Sequence, residues 1–219
     1  MSIAANIRSI EERIGRAAVR AGRAPSGVTL LGITKGVQAP SIREAFDAGL
    51  RQFGENRVQE AEGKILLLKD LGCAWHMVGH LQSNKAKDAA ALFHVIHSID
   101  SVAVGEAVDR RALRPVAALL EVNVAGEATK GGFAPKDVPA ALSALSHLKN
   151  LEVRGLMTVA PAVPDPTQVR PVFRSLRELA QSLGLRELSM GMTNDFEVAV
   201  EEGATMVRVG TGIFGGRPA

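Results

Sequence analysis

Eight short aliphatic runs alternate with helix-period stretches along this chain, and that alternation limits the fold more than any other feature. The runs fall at 28–34, 51–54, 75–79, 94–99, 117–124, 152–157, 187–190 and 205–209. The helix-period stretches fall at 39–49, 55–71, 83–92, 101–112, 136–148, 167–183 and 194–202. Runs such as VAALLEVNV and TMVRVG are rich in β-branched and aliphatic residues, which suits strands covered on both faces. The punctuation agrees. Pro40–Ser41, Asp100–Ser101 and Pro135 stand where helices should open, and Gly49, Gly72, Gly184 and Gly203 where they should stop. Ile3, Ile7, Ile10 and Ile14 predict an amphipathic helix ahead of the first strand.

Strands and helices in this order predict an α/β chain closed as a (β/α)8 TIM barrel, a single domain over residues 1–219. An open doubly wound sheet is the alternative, weakened because no GxGxxG follows the first strand. The segment APAVPDPTQ, 160–168, reads as a surface loop after the sixth strand.

Composition narrows the function classes. A hydrophobic fraction of 46% over 219 residues supplies a full core. The 26 basic against 23 acidic residues leave a net charge of +3 with no long basic run, so no nucleic-acid partner is expected. A lone cysteine, Cys73, excludes an internal disulfide and suits a reducing cytosol. No run approaches membrane-span length, and the N-terminus lacks a signal-peptide core, so a cytoplasmic protein without membrane contact is expected.

Active sites of such barrels lie at the C-terminal ends of the strands. Lys35, in LLGITKG, falls at that end of the first strand among apolar or small neighbours. Desolvation there would lower its pKa and make the amine a nucleophile toward carbonyls; the alternative is a lysine that snorkels to water. The loops after strands seven and eight read GMTND and VGTGIFGG. Their small residues, hydroxyls and exposed N–H groups suit a phosphate dianion, with Thr193 also able to cap the following helix. A carbonyl-binding lysine facing a phosphate cradle suggests pyridoxal 5′-phosphate (PLP).

Arg208 alternates with Val207 and Val209 and so faces away from them. It either serves a ligand or pairs with Glu197, Glu201 or Glu202. Among the histidines, His76 and His80 share a strand face while His94 and His97 do not, and no Cys or acidic residue completes a metal set, so no metal is expected. Trp75 and Phe53 read as core residues and Cys73 as a buried, inert thiol.

The segments LLGITKG, FGENRVQEAEGK, WHMVGHLQSNK, HSID, EVNVAGEATKGGF, RGLMTVAP and SMGMTNDFEVAVEEGATMVRVGTGIFG, taken in order, closely resemble the YggS/PROSC family of PLP homeostasis proteins. The resemblance implies a barrel like the N-terminal domain of alanine racemase, with PLP as an internal aldimine on Lys35. It implies Thr193, Gly210 and Thr211 as phosphate ligands, Arg208 facing the pyridine nitrogen, and Asn56 lining the pocket. It further implies a role in vitamin B6 balance, buffering or delivering PLP, with PLP-dependent apo-enzymes as recipients and a monomer or weak dimer. No robust catalysis is associated with that family. The chain departs from the family pattern in Thr34, Gly36 and Val37 around the lysine, and in GMT for GMS, where Thr193 keeps the hydroxyl.

The rival to homeostasis is a weak PLP-dependent amino-acid racemase, which needs acid–base groups on both faces of the substrate carbon. The chain has no tyrosine, the second base in alanine racemase, which leaves His80 or Cys73 as replacements. A protein- or RNA-binding module and a phosphosugar enzyme are more distant alternatives.

Overall fold

The computed structural model describes residues 2–216. A leading helix α1 (Ile3–Arg20) is followed by β1 (Thr29–Ile33), α2 (Ala39–Asp47), β2 (Gln52–Glu55), α3 (Val58–Leu67), β3 (Ala74–Met77), α4 (Ala86–Leu92) and β4 (Val95–Ile99). The second half holds α5 (Val102–Arg111), β5 (Val116–Glu121), α6 (Val138–Leu145), β6 (Leu151–Met157), α7 (Arg170–Ser182), β7 (Glu187–Ser189), α8 (Phe196–Glu201), β8 (Met206–Val209) and the short α9 (Thr211–Phe214). The eight strands are parallel and close on themselves in sequence order, β8 returning to β1 with Leu30 opposite Val207 and Gly32 opposite Val209. The chain is therefore a closed (β/α)8 barrel, as the alternation predicts.

Residue parity builds two apolar layers. Leu30, Phe53, Trp75, Met77, Ile96, Leu188, Val207 and Val209 point out and meet the helices in the main core. Leu31, Leu119, Met157 and Met206 point in and form a smaller cluster along the barrel axis. Phe53 and Trp75 are core residues, their rings 5.6 Å apart.

Boundaries shift where tertiary contacts override local preference. The predicted helix from 55 begins only at Val58, because Glu55 completes β2 and is buried. The helix predicted from 83 begins as a 3-10 turn at Ser83–Lys85 before α4. Gly49, Gly184 and Gly203 stop helices in left-handed conformations, whereas Gly72 is not left-handed.

The leading helix is capped by Ser2, whose side chain accepts a hydrogen bond from Ala5 N–H. It buries Ile7, Ile10 and Ile14, with Ile3 partly covered. It packs against α2 and, more extensively, against α8 and α9, the helices that follow the last two sheet-end loops. Asn6 donates to the Ile213 carbonyl at 2.8 Å, and Arg13 reaches Glu197 at 2.7 Å while stacking over Phe196. This helix braces the end of the barrel where the candidate site lies.

Candidate functional site

Lys35 lies just past the C-terminal end of β1. Counting by two from Leu31 and Ile33 carries the inward face to it. Of the two readings of Lys35, the side chain reaching water is the one observed: Lys35 is exposed at the barrel mouth, although Thr34 beside it is fully buried. The chain turns outward here. Gly36 adopts a left-handed φ of 72°, which an L side chain would strain, and this accounts for Gly after the lysine.

The turn is clamped from outside the barrel. Lys64 donates to the Thr34 carbonyl at 2.5 Å and to Glu55 and Glu60 carboxylates at 2.7 Å each. Glu60 in turn accepts from Gly36 N–H at 2.6 Å. Burial pushes the Glu55 carboxyl up, against the pull of Lys64 and Thr34. Its second oxygen has no partner among the described residues. The clamp that Lys64 and Glu60 form was not read from sequence. The i, i+4 spacing of Glu60 and Lys64 was the available signal.

Across the mouth, GMTND and VGTG form two facing turns. The hydroxyls of Thr193 and Thr211 stand 3.2 Å apart. Thr193 does not cap a helix as predicted. Asp195 occupies the N-cap position of α8 and accepts from Met192 N–H at 2.6 Å, which leaves the Thr193 hydroxyl to Thr211. In the first turn the bonds run from Asp195 and Phe196 N–H to Met192 O, and in the second from Ile213 and Phe214 N–H to Gly210 O. The preceding amides, of Thr193 and Asn194 and of Thr211 and Gly212, lie ahead of those bonds, as donors at a helix start do. Gly210 packs onto β1: a Cβ there would come within 3.3 Å of the Ile33 carbonyl oxygen. The Lys35 turn and the two-threonine cradle are thus neighbours. A cavity of about 260 Å³ adjoins the cradle, bordered by Ala160, Met192, Thr193, Asp195 and Thr211.

Arg208 points into the barrel and is buried. Its Nη1 donates to the Ser189 carbonyl at 2.8 Å and to Ser189 Oγ at 2.6 Å, and Nη2 to the Thr158 carbonyl at 2.8 Å. The glutamates offered as its ion-pair partners are engaged elsewhere. Glu197 pairs with Arg13, Glu201 with Arg20 and Arg170, and Glu202 with Arg170, Arg174 and Arg177. Burial pulls the Arg208 pKa down to about 10, with Asp195 and Glu121 acting the other way, so it stays cationic at neutral pH.

Asn56 sits at the tip of β2 and borders a separate cavity of about 520 Å³ with Arg57, Met77, His80 and Lys85. Neither of these two cavities is lined by Lys35. Gly79 lets the β2 and β3 tips touch, since a Cβ there would sit 2.4 Å from the Asn56 carbonyl oxygen. His80 meets Asp100 at 3.0 Å. Near them burial pushes the Glu121 carboxyl up, reinforced by Asp100 and opposed by Arg208. Asp100, Glu121, Thr158 and Ser189 were missed from sequence, though each stands at or near the C-terminal end of a strand. Cys73 is half-buried, not buried, and precedes β3 at the opposite end of the barrel, so it is no replacement base at this mouth.

A lysine at the tip of the first strand, two facing threonine turns after the last two and a buried arginine beneath define a class: the barrel of the alanine racemase N-terminal type. Residues 2–218 match the family described as "Alanine racemase, N-terminal domain". An alanine racemase from Corynebacterium glutamicum shares the fold at a TM-score of 0.71 and 18% identity, over 99% of this chain and 61% of that one. A curated Pseudomonas aeruginosa relative, a pyridoxal phosphate homeostasis protein, is 46% identical over 99% of this chain and 96% of its own length. PipY of Synechococcus elongatus, solved with PLP bound, is 41% identical with a TM-score of 0.83, covering 98% of this chain and all of that one. The chain belongs to the family of pyridoxal phosphate homeostasis proteins, also called YggS/PROSC.

Proposed function

We propose that this chain binds PLP reversibly and works in its homeostasis, holding the cofactor and handing it on, as a single barrel domain in the cytoplasm. The observation that carries this reading is the convergence of Lys35, the Thr193–Thr211 cradle and Arg208 at one end of the barrel, in a chain 46% identical to a named PLP homeostasis protein. The donor set fits a phosphorylated aldehyde. Two hydroxyls 3.2 Å apart and the amides of two turns suit phosphate oxygens, and Gly210 leaves backbone free where a Cβ would crowd β1.

PLP, when bound, supplies an aldehyde that condenses with a primary amine and a pyridine ring that draws electrons from what is attached. Lys35 would supply the amine, and its exposed position keeps that amine within reach of an incoming or leaving molecule. Thr193, Gly210 and Thr211 would hold the phosphate, and Asn56, at the tip of β2, would line the pocket from the other side of Lys35. Arg208 would face the ring nitrogen as a donor. A fixed cation there disfavours ring protonation and so weakens the ring as an electron sink, which suits a carrier better than a catalyst of carbanion chemistry. Recipients would be PLP-dependent apo-enzymes, with this chain a monomer or weak dimer.

The test is borohydride reduction of the protein after PLP addition, followed by peptide mapping. A pyridoxyl group on Lys35, lost in Lys35→Ala with the fold intact by circular dichroism, is the expected result. Full labelling elsewhere in the Lys35→Ala variant sinks the assignment. The racemase reading rests on His80 beside Asp100 at the same mouth. Lys35-dependent deuterium exchange at the α-carbon of amino acids would favour it.

A further inference from the structure

The barrel interior holds a run of polar side chains that the proposed site does not use. Beneath Arg208, Ser189 Oγ lies 2.8 Å from His97 Nδ1. His97 Nε2 lies 2.9 Å from His76 Nδ1, and His76 Nε2 lies 2.7 Å from Gln52 Oε1. The run crosses from β8 through β7, β4 and β3 to the first residue of β2. It starts under the mouth and ends at half-buried Gln52 on the floor of the barrel. Leu31, Leu119, Met157 and Met206 share the interior, and His97 and Ser189 are fully buried.

The donors and acceptors fall in one order. Arg208 can only donate, so Ser189 Oγ accepts from it. The Ser189 hydroxyl proton then has His97 Nδ1 as its acceptor. That places the His97 proton on Nε2, where it is donated to His76 Nδ1. His76 in turn carries its proton on Nε2 and donates to Gln52 Oε1. The reverse order would leave the buried Ser189 O–H without an acceptor. Both imidazoles are neutral in this arrangement, and burial favours that state for each. Bonds aligned head to tail polarise one another, so Ser189 is a better acceptor for Arg208 than an isolated hydroxyl.

Apolar side chains would fill this interior with no buried polar group to satisfy. We infer that Ser189, His97, His76 and Gln52 are positioning residues, a polar thread that fixes the guanidinium of Arg208 from below and thereby sets the environment of the ligand ring above it. The consequence for the ring rests on the proposed binding of PLP. The fixing of Arg208 does not.

The test has two parts, on ligand-free and on PLP-loaded protein. In the ligand-free protein, two-bond proton–nitrogen NMR correlations should give the Nε2–H tautomer for both His76 and His97. Slowly exchanging Arg208 guanidinium signals should be lost in Ser189→Ala and weakened in His76→Leu, three hydrogen bonds from Arg208. In the loaded protein, Ser189→Ala should shift the absorption maximum of the bound cofactor and weaken PLP retention about tenfold, the effect of one hydrogen bond to a charged group. Ser189→Thr should restore both. An Nδ1–H tautomer at either histidine, or Arg208 signals unchanged in Ser189→Ala, overturns the thread. Unchanged absorption and retention in Ser189→Ala overturns its role toward the ring. Should the wild-type protein take up no PLP, the proposed function fails, and the ligand-free spectra still decide whether the thread holds Arg208.

Discussion

A cation with no carboxylate hydrogen-bonded to it among the described residues is the residue that sets the character of this mouth. Arg208 meets one hydroxyl and two carbonyls, so its charge remains available upward. Arg208→Glu should reduce PLP retention, because it sets a carboxylate against the Ser189 and Thr158 carbonyls in place of their donor. Arg208→Lys should weaken retention by about tenfold, since an ammonium cannot span Ser189 and Thr158 as a fork does. Equilibrium dialysis against PLP measures both. His76 makes a different prediction. Its pKa falls to about 4, first from burial and then from His94. Between that value and the ordinary 6.5 the unfolded chain binds more protons than the folded one, so stability falls as pH drops through this window. The loss approaches about 3 kcal/mol by pH 4. The groups facing His76 are His97, Gln52 and His94, and His97 is itself held neutral by burial, His76 and Arg208, so the two losses overlap. Thermal melts from pH 7 to 4 should show a fall in Tm that is blunted in His76→Gln.

At the scale of elements, the turns matter more than the helices. Thr193 and Asp195 are both good cap residues, and TND offers them two positions apart, so local preference alone could not choose. The backbone chose Asp195, which freed Thr193 for Thr211. Lys35 was legible as the reactive candidate because it ends an apolar strand. The choice between burial and exposure was not, because that depends on a left-handed Gly36 and on the distant clamp of Lys64 and Glu60. Lys64→Met should leave Glu55 buried without its cation and cost about 3 kcal/mol in urea unfolding. The pair Lys64→Met with Glu55→Gln should recover most of that. The brace from α1 also lies beyond sequence reading. Asn6 and Ile213 are 207 positions apart, and only the closed barrel joins them. Asn6→Ala should cost about 1 kcal/mol and raise the PLP dissociation constant several-fold by loosening α9.

For the molecule as a whole, eight strand runs alternating with helices favoured a closed barrel, and the lack of a GxGxxG after the first run weakened the open doubly wound sheet that covers its faces in the same way. What they could not supply was the polar content of its interior. By spacing His76 was read with His80 and His97 with His94, and only their positions on adjacent strands make His76 and His97 a hydrogen-bonded couple. The outer ion pairs were equally hidden. Glu202 takes Arg170, Arg174 and Arg177, and Glu201 takes Arg20 and Arg170, tying α1, α7 and α8 together. Burial would raise the Glu202 carboxyl, but Arg174 and Arg170 outweigh it and hold it below its ordinary value. Its contribution is therefore present above about pH 4.5 and lost as pH falls further. Glu202→Gln should lower stability by roughly 2 kcal/mol at neutral pH, read from denaturant midpoints.

The first strand and the last are neighbours, so the mouth straddles the place where the ring of strands is joined. Whatever is gripped by Lys35 on one side and by Thr193 and Thr211 on the other acts as a clasp across that joint. Under the proposed function, the ring cannot spring open without dropping its cargo. How long the fold persists and how long the cargo stays are then two readings of one clock.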